Sequence, residues 1–230
     1  MNKYWAKNPL TPCYAKPVRK NGKAYLADDK DNCQPGVTQI VNNTKSAADK
    51  ARLNNWRNKV GETEANRIIT TSIQRGKIGH SLIESFFKGE QKVCPKIIEP
   101  HWKHLLPFLE QIHSIRLLEG HVFHHYEGYA GRVDCVGRFG GSPECVIDFK
   151  FSDRPKPIYE DKILPLAAYI GALNRQYGPP FQVSIKQALL VVATPSGVDA
   201  TLYDAGQVNQ YWQKWQQRVA QFWDEKRAIA

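Results

Sequence analysis

Three residues near the middle of the chain, Asp134, Asp148 and Lys150, have the types and spacing to hold a divalent cation beside an ammonium group. They lie in the stretch from Gly131 to Lys150, where two runs rich in Val, Ile, Phe and Cys flank Gly140-Gly141-Ser142-Pro143. Each run alternates, and the pattern predicts a β-hairpin. Val133, Cys135 and Phe139 share a face with Cys145, Ile147, Phe149 and Phe151, which the pattern assigns to the core. Asp134, Asp148 and Lys150 fall on the other face. Matching the apolar faces fixes the register, because a one-residue slip inverts a whole strand. The loop then has an odd length, most simply Gly140 to Ser142, and Asp134 stands opposite Asp148. Cross-strand Cβ atoms are ~4.5 to 5.5 Å apart, where like charges repel unless offset. A hard cation such as Mg²⁺, bound through one or two carboxylates, supplies that offset. Lys150 follows ~6.6 Å further along the same face. An isolated D-x-K is more often a solvated surface pattern; the second Asp and the apolar run before Asp148 argue otherwise.

Other elements must bring partners to this hairpin. Ser46 is a candidate N-cap for a helix from Ala47 to Val60, closed by Gly61. From Thr63, Ile69, Ile73, Gly76, His80, Ile83 and Phe87 recur at helical spacing, so His80 points inward and Glu84 follows one turn later. Gly76, between Arg75 and Lys77, leaves room for a close approach. A single inward histidine is more often a core residue than a ligand, so the residues alone leave His80 open. Pro100 begins a further helix, and Ile115 to Phe123 reads as a strand holding Glu119. His124 and His125 are adjacent and would face opposite sides of a strand, which argues against a zinc site. Glu127 precedes the hairpin closely and is a secondary candidate. Arg154, Lys156 and Lys162 line the exit after Lys150, and Pro165 suits the first turn of a helix ending at Gly178. Ile185 to Ala193 reads as a doubly buried strand, Asp204 and Gln207 as a capping box, and the aromatic stripe from Val208 to Trp223 as core packing.

The 230 residues suffice for one sizeable core. No apolar run approaches membrane-spanning length, so no membrane association is expected. A net charge of +10 asks for a polyanion, nucleic acid first. The five cysteines contain no C-x-x-C pair and read as reduced thiols holding neither zinc nor an iron–sulfur cluster. Residues 1–36 are rich in proline and basic residues and read as an extended arm, leaving residues 37–230 as one domain. The arm's prolines and its lack of an Arg-rich amphipathic pattern make a transit peptide, and so a mitochondrial matrix, the lesser reading, and the reduced thiols suit a cytoplasm. Nothing in the pattern specifies an oligomeric state.

Taken together, these stretches resemble the PD-(D/E)XK nucleases of RecB type, in particular the mitochondrial genome maintenance exonucleases and their small phage and bacterial relatives. The resemblance is carried by Gln74 to His80 with Glu84, Tyr129 to Val136, Val146 to Ser152, Arg154 to Pro157, and Ala168 to Asn174 with Tyr169. It implies an α/β fold with a restriction-endonuclease-like core, a central mixed β-sheet flanked by helices. It makes His80, Asp134 and Asp148 metal ligands for Mg²⁺ or Mn²⁺ and Lys150 the catalytic lysine. Arg75, Lys77, Arg132, Arg154, Lys156 and Lys162 become candidate contacts to DNA, with Glu84, Glu119, Glu127 and Tyr169 as further site candidates. The implied activity is exonucleolytic hydrolysis of single-stranded DNA with a free end, and the implied compartment is the cytoplasm of a bacterial or phage-infected cell. An endonuclease of the same fold and a non-catalytic DNA-binding module are the rival readings. One departure stands out: the family has Gln four residues before the helical Tyr, and here that place is Pro165.

Overall fold

The alternating runs of the sequence resolve into two sheets in a computed structural model, which describes residues 3–20, 22–155 and 157–228. The smaller sheet is an antiparallel meander of β1 (Lys16–Lys20), β2 (Lys23–Ala27) and β3 (Cys33–Pro35). Three helices follow, α1 (Val37–Asn43), α2 (Ala47–Val60) and α3 (Glu62–Lys88), and then α4 (Glu99–Leu109). The larger sheet has the order β4 (Ile112–His124), β5 (Tyr129–Phe139), β6 (Cys145–Phe151), β7 (Gln187–Thr194) and β8 (Gly197–Tyr203). Only β6 and β7 run parallel; α5 (Glu160–Tyr177) connects them, and α6 (Ala205–Arg227) closes the chain. This is the mixed sheet flanked by helices that the resemblance implies.

The predicted hairpin register is the observed one. Cys135 pairs with Ile147, Val136 with Val146 and Gly137 with Cys145, and continuation of that ladder brings Asp134 level with Asp148. The turn is closed by Ser142, whose backbone N–H donates to Phe139 O at 3.0 Å while its Oγ accepts from Phe139 N at 3.1 Å. The assignment of a single core face is corrected, because both faces of β5 and β6 are buried. Val136 and Val146 pack with side chains of α1, α5 and α6, whereas Cys135, Cys145, Ile147 and Phe149 pack with those of α3 and α4. Central strands covered by helices on each side lose the polar face that a hairpin alone would keep.

Local signals set the helix ends. Ser46 Oγ accepts from Asp49 N at 3.0 Å, and Gly61, at φ +83°, ends α2 as expected. No residue of α2 is buried, so its basic side chains stand on the surface. Asp204 and Gln207 form the reciprocal capping box of α6. Pro165 is not at a helix start: α5 begins at Glu160, and the proline lies inside it. Glu160 and Asp161 occupy the first turn, where carboxylates favour the helix dipole.

The N-terminal residues run along the sheet edge. Trp5 bridges Ile115, Cys13 bridges His121, and Ile115 N donates to Tyr4 O at 2.8 Å, so the open edge of β4 is covered. Among the described residues, no helix is long and apolar enough to cross a membrane.

Candidate active site

The acidic centre forms where the sheet is irregular. The β4–β5 ladder pairs Leu118 with Cys135 and Gly120 with Val133 but skips Glu119 and Asp134 between them. Leu117 and Val122 pack into the same cluster although their parity differs, so the faces of β4 exchange at Glu119. Glu119 adopts φ +49°, a left-handed conformation unfavourable for a side chain other than glycine, at about 1–3 kcal/mol. From there its carboxylate reaches His80 and Arg132, within 4.8 Å of an Asp134 oxygen. The side chains of Glu119 and Asp134 are 6% and 11% exposed.

Asp134 also ends the β5–β6 pairing. Its Oδ2 accepts from Phe149 N at 2.8 Å, taking the place of a backbone carbonyl, while β6 continues its ladder with β7 as far as Phe151. Asp148 is buried, and the Lys150 ammonium lies against its Oδ2. That oxygen is therefore compensated by the ammonium charge inside the buried centre.

His80 arrives from α3. Its Nδ1 is 3.2 Å from Glu119 Oε1 and 3.5 Å from Asp134 Oδ1. The approach depends on Gly79, because a Cβ there would lie 2.2 Å from Cζ of the Phe151 ring. Gly76, which the spacing singles out, would meet nothing within 4 Å, so the close-approach glycine is one helical turn further on. A Cβ on Gly131 would lie 2.5 Å from the Tyr169 ring, and this second close approach seats α5 beside β5. Glu119 joins the two sides of the centre, since its Oε2 is 2.9 Å from Arg132 Nε while its other oxygen faces His80.

Electrostatics follow from burying several carboxylates together. Burial, then the Asp148 charge, pushes the Asp134 pKa up to about 7, against the pull of His80 and Lys150. For His80, burial favours the neutral ring, but the Glu119 hydrogen bond and the Asp134 and Glu119 charges outweigh it and raise the pKa. Burial likewise opposes the Lys150 ammonium, yet Asp148 and Asp134 hold its pKa above the ordinary value. Tyr169 is raised well above a normal phenol by burial and then by Asp148, Asp134 and Glu119. Lys162 is lowered by partial desolvation and then by the Lys150 charge.

His80, Glu119 and Asp134 offer ligand atoms that all lie within 4.8 Å of one another, a group able to hold a metal ion. Hard carboxylate oxygens with one imidazole, and an Asp134 pKa raised by burial and the Asp148 charge, suit a divalent cation; Asp148 faces Lys150 and is not one of these three. The remaining candidates are dispersed. Glu84 turns to Lys88 at 2.8 Å, and Glu127 accepts from Gln216 of α6 at 2.8 Å, so neither joins the centre. Lys77, Arg154 and Lys162 are exposed, whereas Arg75 is buried against Asp153. Lys156 lies outside the described residues. His101 and Asp153 were not singled out from sequence: an acid after a strand and a histidine among apolar residues carry no spacing signal.

The fold is thus a restriction-endonuclease-like α/β core with an acidic, lysine-bearing centre where α3 meets β4, β5 and β6. No protein-family model matches the chain. It is similar to curated proteins named mitochondrial genome maintenance exonuclease 1: 29% identical over 209 residues to that of Homo sapiens, covering 85% of this chain and 60% of the relative. The protein of that name from Mus musculus is 28% identical over 211 residues, covering 86% and 62%, and that from Xenopus tropicalis 29% over 204 residues, covering 84% and 58%. The similarity supports the resemblance carried by the motifs, and the chain spans about 60% of the length of these relatives. The comparisons correct one expectation. The matched relatives are mitochondrial proteins of eukaryotes, which points away from a bacterial or phage cytoplasm.

Proposed function

We propose that the protein is a metal-dependent DNA exonuclease that hydrolyses phosphodiester bonds of single-stranded DNA from a free end. The observation that carries the reading is the convergence of His80, Glu119, Asp134, Asp148 and Lys150 from four separate elements, in a chain similar to proteins named exonucleases. Asp134, Asp148 and His80 are assigned as ligands of Mg²⁺ or Mn²⁺, with Glu119 added as a fourth. Such an ion, when bound, polarises a phosphoryl oxygen and acidifies water. Lys150, held as an ammonium by Asp148 and Asp134, stabilises negative charge developing on phosphorus oxygens. Tyr169 stays a protonated phenol and can donate a hydrogen bond towards the carboxylates. Pro165 offers no side-chain donor, and we assign phosphate holding at that end of the site to Lys162, in the first turn of α5. Residues 37–230 carry the nuclease chemistry in this reading; residues 1–36 are basic but not an extended arm, since they form the β1–β3 meander and place Tyr4 and Leu10 in the core clusters.

The test uses end-labelled linear and circular single-stranded DNA and duplex DNA across a titration of Mg²⁺ and Mn²⁺. Metal-dependent loss of linear single strands with circles intact is the expected result. Cutting of circles would favour the endonuclease, and binding without cleavage in any metal would favour the DNA-binding module.

A further inference from the structure

We infer that Arg75 is a positioning residue for Lys150, acting through the turn that leaves β6, and is not a contact for DNA phosphate. The inference rests on the role proposed for Lys150.

Arg75 lies one turn before Gly79 on the inner face of α3, and only 6% of it is exposed. Its Nη2 is 2.5 Å from Asp153 Oδ1, while its Nε and Nη1 are buried without hydrogen-bond partners. Among the described residues its one ion pair is with Asp153, and a buried guanidinium holds such a carboxylate firmly, because releasing it leaves an unpaired charge in the interior. A phosphate contact requires the opposite, a guanidinium presented to solvent.

Asp153 stands three residues after Lys150, and the intervening turn is fixed from two more directions. Ser152 N donates to Ala193 O of β7 at 3.0 Å, and Ser152 O lies 3.0 Å from Nε2 of the buried His101 of α4. Burial, then the Arg75 charge, lowers the His101 pKa despite that bond, so the ring is neutral and Nε2 is its N–H donor. The Phe151 ring fills the space left by Gly79 and meets both His80 and His101. The Lys150 backbone pairs with Val192 of β7 one residue before β6 ends at Phe151, so the turn carrying Ser152 and Asp153 sets how this strand end lies against its neighbours. Through Asp153, Arg75 fixes that backbone against α3, the helix that also delivers His80.

The experiment compares Arg75→Ala, Arg75→Lys and Asp153→Asn with the parent protein. Steady-state cleavage of linear single-stranded DNA in Mg²⁺ gives kcat and KM, and fluorescence anisotropy in Ca²⁺ gives DNA affinity at several salt concentrations. Small misplacement of a reacting group reduces rate by up to about a hundredfold. The expected result is a fall in kcat of about tenfold to a hundredfold, with KM, affinity and its salt dependence within about twofold of the parent. Added guanidinium ion is expected to restore part of the Arg75→Ala rate, and Asp153→Asn to have no further effect in a Lys150→Ala background. Asp153 is 57% exposed, so Asp153→Asn remains an informative variant if Arg75→Ala does not fold. Weakened affinity with a shallower salt dependence, or an unchanged kcat in Asp153→Asn, would overturn the inference. Parent-level cleavage by Lys150→Ala would instead overturn the proposed role of the lysine, so the two failures are distinguishable.

Discussion

The floor and the mouth of the site are built on opposite principles. On the floor, Glu119, Asp134 and Asp148 have side chains 6%, 11% and 3% exposed, and each is fixed by a strand. At the proposed mouth, the candidate DNA contacts Lys77, Arg154 and Lys162 are exposed, and the Arg132 side chain is 52% exposed. Buried like charges are costly apart from a cation, whereas solvated basic groups can hold a polyanion without a fixed geometry. In the proposed reading the difference separates a rigid chemical centre from a diffuse binding surface, and substitutions in the two regions should behave differently.

The largest effect is expected on the floor. Asp148→Ala and Lys150→Ala should each lower the single-turnover cleavage rate by about 10³-fold or more, while anisotropy in Ca²⁺ shows DNA still bound. Equal loss of binding and cleavage would erase the distinction between the regions. Gly79→Ala tests the support beneath the floor. Its Cβ would fall 2.2 Å from the Phe151 ring, and overpacking of this kind costs about 1–3 kcal/mol, visible in chemical denaturation together with loss of activity. Gly76→Ala, whose Cβ meets nothing inside α3, should leave activity unchanged and raise stability by about 0.5–1 kcal/mol.

A third prediction concerns pH. The folded pKa of Asp134, about 7, lies above the ordinary carboxyl value of 3.8. The unfolded chain therefore releases this proton first, and the group withdraws stability as pH rises from about 4 to about 7. His80, also raised, contributes stability below its unfolded value that is lost as pH rises through its folded one. Both push the metal-free protein the same way. A divalent cation requires the deprotonated forms, so the rise in melting temperature on adding Mg²⁺ should be larger at pH 8 than at pH 6. In Asp134→Asn, that metal-dependent rise should be largely lost at both pH values.

The hairpin register was legible because period-2 alternation fixes it, and Asp134 opposite Asp148 followed from it; the facing was not, since Val133 packs with Val136 and Val146 and not with Cys135. The covered second face of β5 and β6 was not, because Val136 and Val146 alternate with charged residues and no strand declares the helices that will cover it. Glu119 could be seen only as an acid in a strand; its left-handed backbone, which delivers the carboxylate, depends on tertiary packing. Pro165 misled in a comparable way: a proline signals a helix start, but Glu160 and Asp161 extended α5 ahead of it. The half-exposed β8 escaped notice because an edge strand needs no continuous apolar run. His80 needed the resemblance, since helical spacing gives direction without distance.

The smallest effects are expected at the mouth. Because Lys77 and Arg154 are solvated, removing either should change DNA affinity by only a few-fold and leave kcat unchanged. Each phosphate contact to single-stranded DNA contributes about 0.7 to the slope of log affinity against log salt. Lys77→Ala and Arg154→Ala should therefore each flatten that slope by up to about 0.7, and the double variant by about the sum, since distant charges act independently. Arg75→Ala serves as the internal contrast, for its buried guanidinium should leave the slope intact while lowering kcat. A mouth variant that lowered kcat at saturating DNA without changing the slope would move its residue from the diffuse surface to the rigid centre.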